Sequence, residues 1–180
     1  GTCIESGSDG AATPSCSCQF GWSGDGCSVA VLGECQGASP SAGFVQDRFD
    51  GGDIRGWSSS IAQNLGTTHC GALGELLGGF GLLGSGDWLE KTYADLPTHS
   101  SVSLQLVFVK VDSWDGERGI VLVDGREIWS RAFVVREGSQ HCGGELGWHE
   151  RDYQVGPLSI DHVARSLTLR VTTTLNQGAQ

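Results

Sequence analysis

The stretch that most constrains the fold runs from Ser101 to Trp129 and joins β-rich runs by tight turns. It opens with an apolar run, Val102 to Val111, dominated by β-branched and aromatic residues, which predicts a strand buried on both faces or nearly so. After an acidic segment come two more β-rich runs, Gly119 to Val123 and Glu127 to Phe133. Asp124-Gly125 separates them and predicts a hairpin, because both central residues of a type I′ turn need positive φ.

Short β-rich runs also make up the rest of the main region. Trp88 to Tyr93 alternates in polarity, and Leu158 to Val163 and Ser166 to Thr174 predict the last two strands. Cys70 to Gly86 is apolar, but each glycine costs ~1 kcal/mol relative to Ala in a helix, so extended chain with bends is favoured. The sequence therefore predicts an all-β fold, an antiparallel two-sheet sandwich of jelly-roll type.

Seven cysteines are many for a chain of 180 residues, and their spacing does not match a zinc site of the CxxC…CxxC type. Disulfides are the better interpretation, which predicts an extracellular or cell-surface protein. A Cys70–Cys142 bridge would tie the glycine-rich segment to a loop at Glu137 to Gly147. The odd count leaves one thiol unpaired, bonded to another chain, or separated from its partner by truncation.

The N-terminal region carries four of these cysteines in a recognisable order. The run CSCQFGWSGDGC, Cys16 to Cys27, resembles the C-terminal half of an EGF-like module. The resemblance implies a Cys18–Cys27 bridge and a backward bond from Cys16, for which Cys3 is the only upstream candidate. Cys35 is then the odd cysteine. Such modules have six cysteines, so the module here is incomplete.

Composition changes mark three regions along the chain. Residues 1–35 form the EGF-like segment, residues 36–43 a linker, and residues 44–180 the sandwich domain. The net charge of −10 repels phosphate backbones, so no nucleic-acid partner is expected. No stretch approaches the ~18 to 20 apolar residues of a membrane span, and no signal peptide is visible. A processed or truncated piece of a longer secreted chain, not spanning a membrane, is the most economical expectation.

The acidic segment DSWDGE is the best candidate for a metal site. Asp112, Asp115 and Glu117 place three carboxylates within six positions, and Gly116 lets the backbone bend, so oxygen ligands for Ca²⁺ are available. The segment lacks the layout of an EF-hand loop. The alternative is a solvated acidic loop between strands, with Trp114 packed on the core. No cofactor is required under either interpretation.

Sugar stacking is the second candidate function. Trp148 lies in loop-like sequence and is the candidate for an exposed platform, whereas Trp57 and Trp129 lie in strand patterns and are expected to be buried. A His141-Cys142 nucleophile would need an unbridged thiol and an orienting group. No nucleophile elbow, zincin motif or P-loop is present, so the sequence predicts no enzyme.

Three motifs carry a wider resemblance: Leu96-Pro97-x-His99, DSWD following Lys110, and VDG followed by Ile128-Trp129. From Phe49 to Gln180 the chain resembles a domain of large secreted surface proteins of ciliates and green algae. Mastigonemes, the glycoprotein hairs of algal flagella, are the best-known assemblies of that general kind. The resemblance implies a non-enzymatic structural or adhesive protein, a subunit of a cell-surface or flagellar filament or coat.

The same resemblance bears on assembly. In such relatives the chain continues with a further strand, so either the chain is truncated or its last strand comes from elsewhere. A sheet lacking a strand exposes an edge that accepts a neighbour's strand. The expected partners are therefore other copies or related surface glycoproteins. The alternative is a carbohydrate-binding module with glycan partners, assisted by Ca²⁺ on Asp112, Asp115 and Glu117, with Trp148 as the platform.

Overall fold

The computed structural model describes residues 2–4, 15–17, 45–144 and 147–178. The chain divides into two compact units, Gly1–Gln46 and Asp47–Gln180. In the first unit, β1 (Thr2–Ile4) pairs antiparallel with β2 (Ser15–Ser17). Their register sets the backbone of Cys3 opposite that of Cys16. Cys18, Cys27, Cys35 and the predicted linker lie outside the described residues, so the EGF-like segment stays a prediction.

The described part of the second unit consists of nine strands in antiparallel sheets. They are β3 (Trp57–Ser59), β4 (Thr67–His69), β5 (Glu75–Leu77), β6 (Trp88–Tyr93), β7 (Ser101–Lys110), β8 (Asp115–Val123), β9 (Arg126–Val134), β10 (Arg151–Asp161) and β11 (Leu167–Thr173). A five-stranded sheet has the order β3-β6-β11-β8-β9, β7 pairs with β10, and β4 pairs with β5. Short 3-10 turns lie at Asp50–Gly52, Ala62–Asn64 and Gly71–Leu73. Within the described residues no helix is long and apolar enough to span a membrane.

The core lies between the five-stranded sheet and the β7–β10 sheet. One cluster joins Val121, Leu167 and Leu169 of the larger sheet to Ile160 of β10. The other is aromatic, with Phe108 stacked on Phe133 at a centroid distance of 5.6 Å. Trp114 and Val155 complete the buried part of the aromatic cluster. The predicted all-β architecture with antiparallel sheets is therefore present in the described residues.

The predicted burial of β7 on both faces is wrong. Its residues alternate, with Ser103 and Gln105 exposed and Phe108 buried. Val107, on the outward face, is 50% exposed. The physical reason is that β7 belongs to a two-stranded sheet with one face on the core and one face outward, where Val and Ser are both tolerated.

The hairpin is confirmed in position and in turn chemistry. β8 and β9 pair antiparallel up to Val123 and Arg126, and Asp124 and Gly125 both have positive φ, 50° and 78°. The acidic segment is only partly a loop, because Asp115 to Glu117 already belong to β8. A register shift between Asp115 and Arg118 marks a bulge there.

Candidate functional site

The structure separates the three carboxylates predicted to bind calcium. Asp112 is buried before β8 begins, and its Oδ2 accepts a hydrogen bond from the Gly144 N–H at 3.0 Å. A Cβ atom on Gly143 would lie 2.1 Å from Asp112 Oδ1, so glycine at this position lets the buried Asp112 carboxylate approach the backbone of the loop. Glu117 is also buried and accepts the Asp115 N–H at 2.6 Å, while the Asp115 side chain is exposed. Two of the three carboxylates thus bind the main chain.

Among the described residues, the potential metal ligands that lie closest together are not the three carboxylates of the acidic segment. Only Cys70, Cys142 and Glu150 bring three His, Cys, Asp or Glu ligand atoms within 4.8 Å of one another there. The two sulfurs are bonded to each other, so this group offers a single carboxylate rather than a metal site. Calcium binding by the acidic segment stays a prediction that the positions of its carboxylates do not favour.

The predicted Cys70–Cys142 disulfide is confirmed. It joins cysteines 72 positions apart in sequence, and Cys70 is fully buried. The bridge fastens the glycine-rich segment before β5 to the loop between β9 and β10. The same backbones also meet beside it, since a Cβ atom on Gly71 would lie 2.8 Å from the carbonyl oxygen of His141. A His141-Cys142 nucleophile is therefore excluded, because the thiol is bonded.

Lys110 and Glu150 form a buried charged cluster beneath the same loop, and sequence analysis did not find it. Lys110 has no exposed surface, and its ammonium donates hydrogen bonds to the carbonyl oxygens of Val135, at 2.9 Å, and His149. Burial lowers the pKa of Lys110, and the charges of Glu150, Glu137 and Asp112 act in the opposite direction. The ammonium therefore holds the two ends of the β9–β10 loop together.

Glu150 holds the middle of that loop. It is 1% exposed, and its Oε2 accepts the backbone N–H groups of His141 and, at 2.8 Å, Cys142. Its own backbone pairs with Ser139 in an isolated antiparallel bridge. Its Oε1 accepts no hydrogen bond within the described residues. The sequence signal for this cluster was weak, because Lys110 lies near the end of a β-rich run, which normally indicates a solvated strand end, and Glu150 lies in loop-like sequence.

A second polar group lies at the opposite end of the β7–β10 sheet. His99, just before β7, contacts His162, just after β10, with 2.6 Å between Nε2 and Nδ1. His162 is buried, and its Nε2 lies 3.1 Å from Oδ2 of Asp124 in the β8–β9 turn. His99 Nδ1 in turn faces the carbonyl oxygen of Pro97 at 2.5 Å. The sequence singled out His99 only within a motif and gave no signal for His162, which is 63 positions away.

The described tryptophan side chains are buried or half-buried, and none of them is fully exposed. Trp114 is buried, as predicted, whereas Trp57 and Trp129, expected to be buried, are half-buried. Trp148, the predicted sugar platform, is also half-buried rather than exposed. Phe80 is 38% exposed instead. It lines a shallow cleft of about 60 Å³ together with Asp112, Trp114 and Gln177.

Neither a scan against protein-family models nor searches of the curated proteins and the solved structures found a match for this chain. The similarity to secreted surface proteins of algae and ciliates therefore stays a prediction carried by the motifs of the sequence.

Proposed function

We propose that the chain is a non-enzymatic extracellular structural or adhesive module, a subunit of a cell-surface or flagellar filament or coat. The observation that carries this proposal is that buried charged side chains form their hydrogen bonds with main-chain groups. Lys110 and Glu150 bind main-chain groups of the loop that the disulfide closes. A catalytic site would instead aim such groups at a cleft.

The disulfide supports the extracellular setting. Disulfides persist in oxidising compartments and are rare where thiol reductants are abundant. The Cys70–Cys142 bridge joins cysteines 72 positions apart, and Cys70 is fully buried, so the fold incorporates the oxidised pair. The jelly-roll connectivity and the EGF-like segment are the finer parts of this proposal, and they rest on the sequence patterns.

The free edge of β7 supports assembly. β7 pairs with β10 alone, so its other edge has no strand partner within the described residues. Its outward-facing exposed residues are uncharged: Ser101, Ser103, Gln105 and Val107. Edge strands of monomeric proteins are normally protected by charges, proline or bulges. β9 carries such charges, and β10 carries Pro157 and a register shift, whereas β7 has none of these protections on its outer face.

Sedimentation velocity over increasing protein concentration tests this assembly. We expect wild-type protein to self-associate and Val107→Lys to remain monomeric, because a lysine on the edge opposes strand addition. Val134→Lys is the matched control, since Val134 is similarly exposed, 56% against 50%, but lies on β9. Wild-type protein that stays a folded monomer at all concentrations would rule out assembly through this edge. Electron microscopy of the associated fraction distinguishes filaments from irregular aggregates.

A carbohydrate-binding module, assisted by Ca²⁺, is the second candidate. The cleft beside Phe80 favours it, because an exposed ring next to the polar side chains of Ser113 and Gln177 combines a stacking surface with hydrogen-bonding groups for sugar hydroxyls. A glycan array probed with and without Ca²⁺ tests it. Binding that is lost in Phe80→Ala supports this site, and loss in Trp148→Ala supports the platform predicted from sequence. No bound glycan under either condition excludes both.

A further inference from the structure

The contacts of His99 and His162 form a line of hydrogen bonds across the end of the two sheets. Their ring planes differ by 8°, with centroids 5.0 Å apart. Since the nearest nitrogens are 2.6 Å apart, the rings lie end to end in nearly one plane and are not stacked face to face. This is the geometry of an N–H···N hydrogen bond. The line continues to the Pro97 carbonyl at one end and to the Asp124 carboxylate at the other.

The number of protons in this line follows from the chemistry of its ends. A carbonyl oxygen and a carboxylate oxygen only accept hydrogen bonds, so His99 Nδ1 and His162 Nε2 must both be donors. The central contact needs a third N–H. Two neutral imidazoles carry only two N–H groups between them. The three hydrogen bonds therefore require one proton more than two neutral rings and a carboxylate supply.

The surroundings fit one shared positive charge. Asp124 supplies the compensating negative charge, and its Oδ1 accepts the Thr168 N–H at 2.8 Å. The other charged residues on the segments that meet there are all exposed: Asp95, Arg126, Asp161 and Arg165. Among the described residues, Asp124 is the charged group in contact with either ring.

We propose that His99, His162 and Asp124 form a proton-operated latch between the two sheets, closed when the three residues hold one extra proton. His162 follows β10 and His99 precedes β7, whereas Asp124 lies in the turn of the five-stranded sheet. Loss of the proton leaves two N–H groups for three contacts, so one of the three hydrogen bonds is lost. Gain of a second proton places two cationic rings in contact. All three contacts are therefore present together only when the group holds that one extra proton.

Asp124→Asn is the decisive variant. The asparagine Oδ1 can still accept the Thr168 N–H, and its Nδ2 donates to His162 Nε2. Two neutral rings then satisfy all three contacts, so the extra proton is no longer needed. The substitution suits the turn, because Asn tolerates the positive φ of 50° at this position. The variant is expected to keep the contacts while losing the pH dependence.

Long-range ¹H–¹⁵N spectra of ¹⁵N-histidine-labelled full-length protein, recorded from about pH 5 to 9, count the protonated ring nitrogens. His99→Gln and His162→Gln assign the signals, and exposed His141 serves as the internal reference. We expect three protonated nitrogens in the pair near neutral pH in wild type and two in Asp124→Asn. Two protonated nitrogens in wild type, or the same count in both proteins, would overturn the latch. If the variant fails to fold, the wild-type count alone decides.

Discussion

Removing the Cys70–Cys142 bridge measures how much of the fold depends on oxidation. The bridge closes a loop of 72 positions, so its loss restores chain entropy to the unfolded state. For a loop of this length the entropic model gives about 4 kcal/mol at 25 °C. We expect the double variant Cys70→Ala/Cys142→Ala to lose about that much of its free energy of unfolding. This is a large share of the ~5–15 kcal/mol typical of native proteins.

Urea unfolding followed by tryptophan fluorescence is the appropriate assay. Genetic removal is preferable to a reductant, because a reductant would act on all seven cysteines at once. The entropic mechanism makes a second prediction. A chain without the cross-link exposes more surface when unfolded, so the slope of free energy against urea should increase. Peptide mapping of wild type checks that the bridge has formed.

Two results would refute this reasoning. A loss below ~1 kcal/mol would show that the unfolded chain is already restricted between the two cysteines. A full loss with an unchanged slope would place the stabilisation in native packing, because Cys70 is completely buried.

Three further substitutions test the packing and the buried charges. Gly119→Ala should lower the free energy of unfolding in urea by about 1–3 kcal/mol, because the new Cβ would lie 2.4 Å from the ring of buried Phe108. Gly178→Ala is the control and should leave this free energy unchanged, because nothing lies within 4 Å of its Cβ position. Lys110→Met should cost about 1–3 kcal/mol, since it leaves two buried carbonyl oxygens without their donor. Arg151→Met, exposed and opposite in register, should change stability by less than ~0.5 kcal/mol, and equal effects would contradict the anchoring role. Burial, with the hydrogen bond to Asp47 at 2.6 Å, raises the pKa of Tyr93, so the folded state keeps a proton that unfolded Tyr releases above about pH 10. This stabilisation is present below pH 10 and is lost as pH rises beyond it. The melting temperature measured from pH 8 to 11 should therefore fall less steeply for Tyr93→Phe than for wild type. Parallel curves of melting temperature against pH would contradict this contribution.

Local chemistry explains what the sequence predicted well. β6 has the predicted bounds, and β11 buries Leu167 and Leu169 while Thr168 and Arg170 are less buried, as its alternation predicts. The Asp124-Gly125 turn depends on backbone conformations that two adjacent residues decide between themselves. β10 instead begins seven residues before its predicted start at Leu158. Its first residues, Arg151 and Asp152, are polar, and they form a strand because β7 pairs with them.

The polar clusters could not be predicted, because their members meet only through the tertiary fold. Lys110 closes an apolar run, where a lysine usually extends its ammonium into water. Its actual acceptors lie 25 and 39 positions away. Asp112 suggested a metal because its neighbours in sequence are acidic, yet its carboxylate accepts a hydrogen bond from the backbone N–H of Gly144 on another loop. Sequence proximity of carboxylates is thus a weaker guide than the backbone groups that folding brings near them.

The positions of the two polar clusters explain how a two-stranded layer remains attached to a five-stranded one. A pair of strands is marginal by itself and depends on what it packs against. At one end of β7 and β10, Lys110 and Glu150 hold the loop that connects β10 to β9. At the other end, His99 and His162 reach the β8–β9 turn through Asp124. Apolar packing between these ends is non-directional, so the hydrogen bonds set the position of the layer. Loss of either cluster should therefore loosen the attachment of β7 and β10 before the five-stranded sheet itself unfolds, which hydrogen exchange of their amides would reveal.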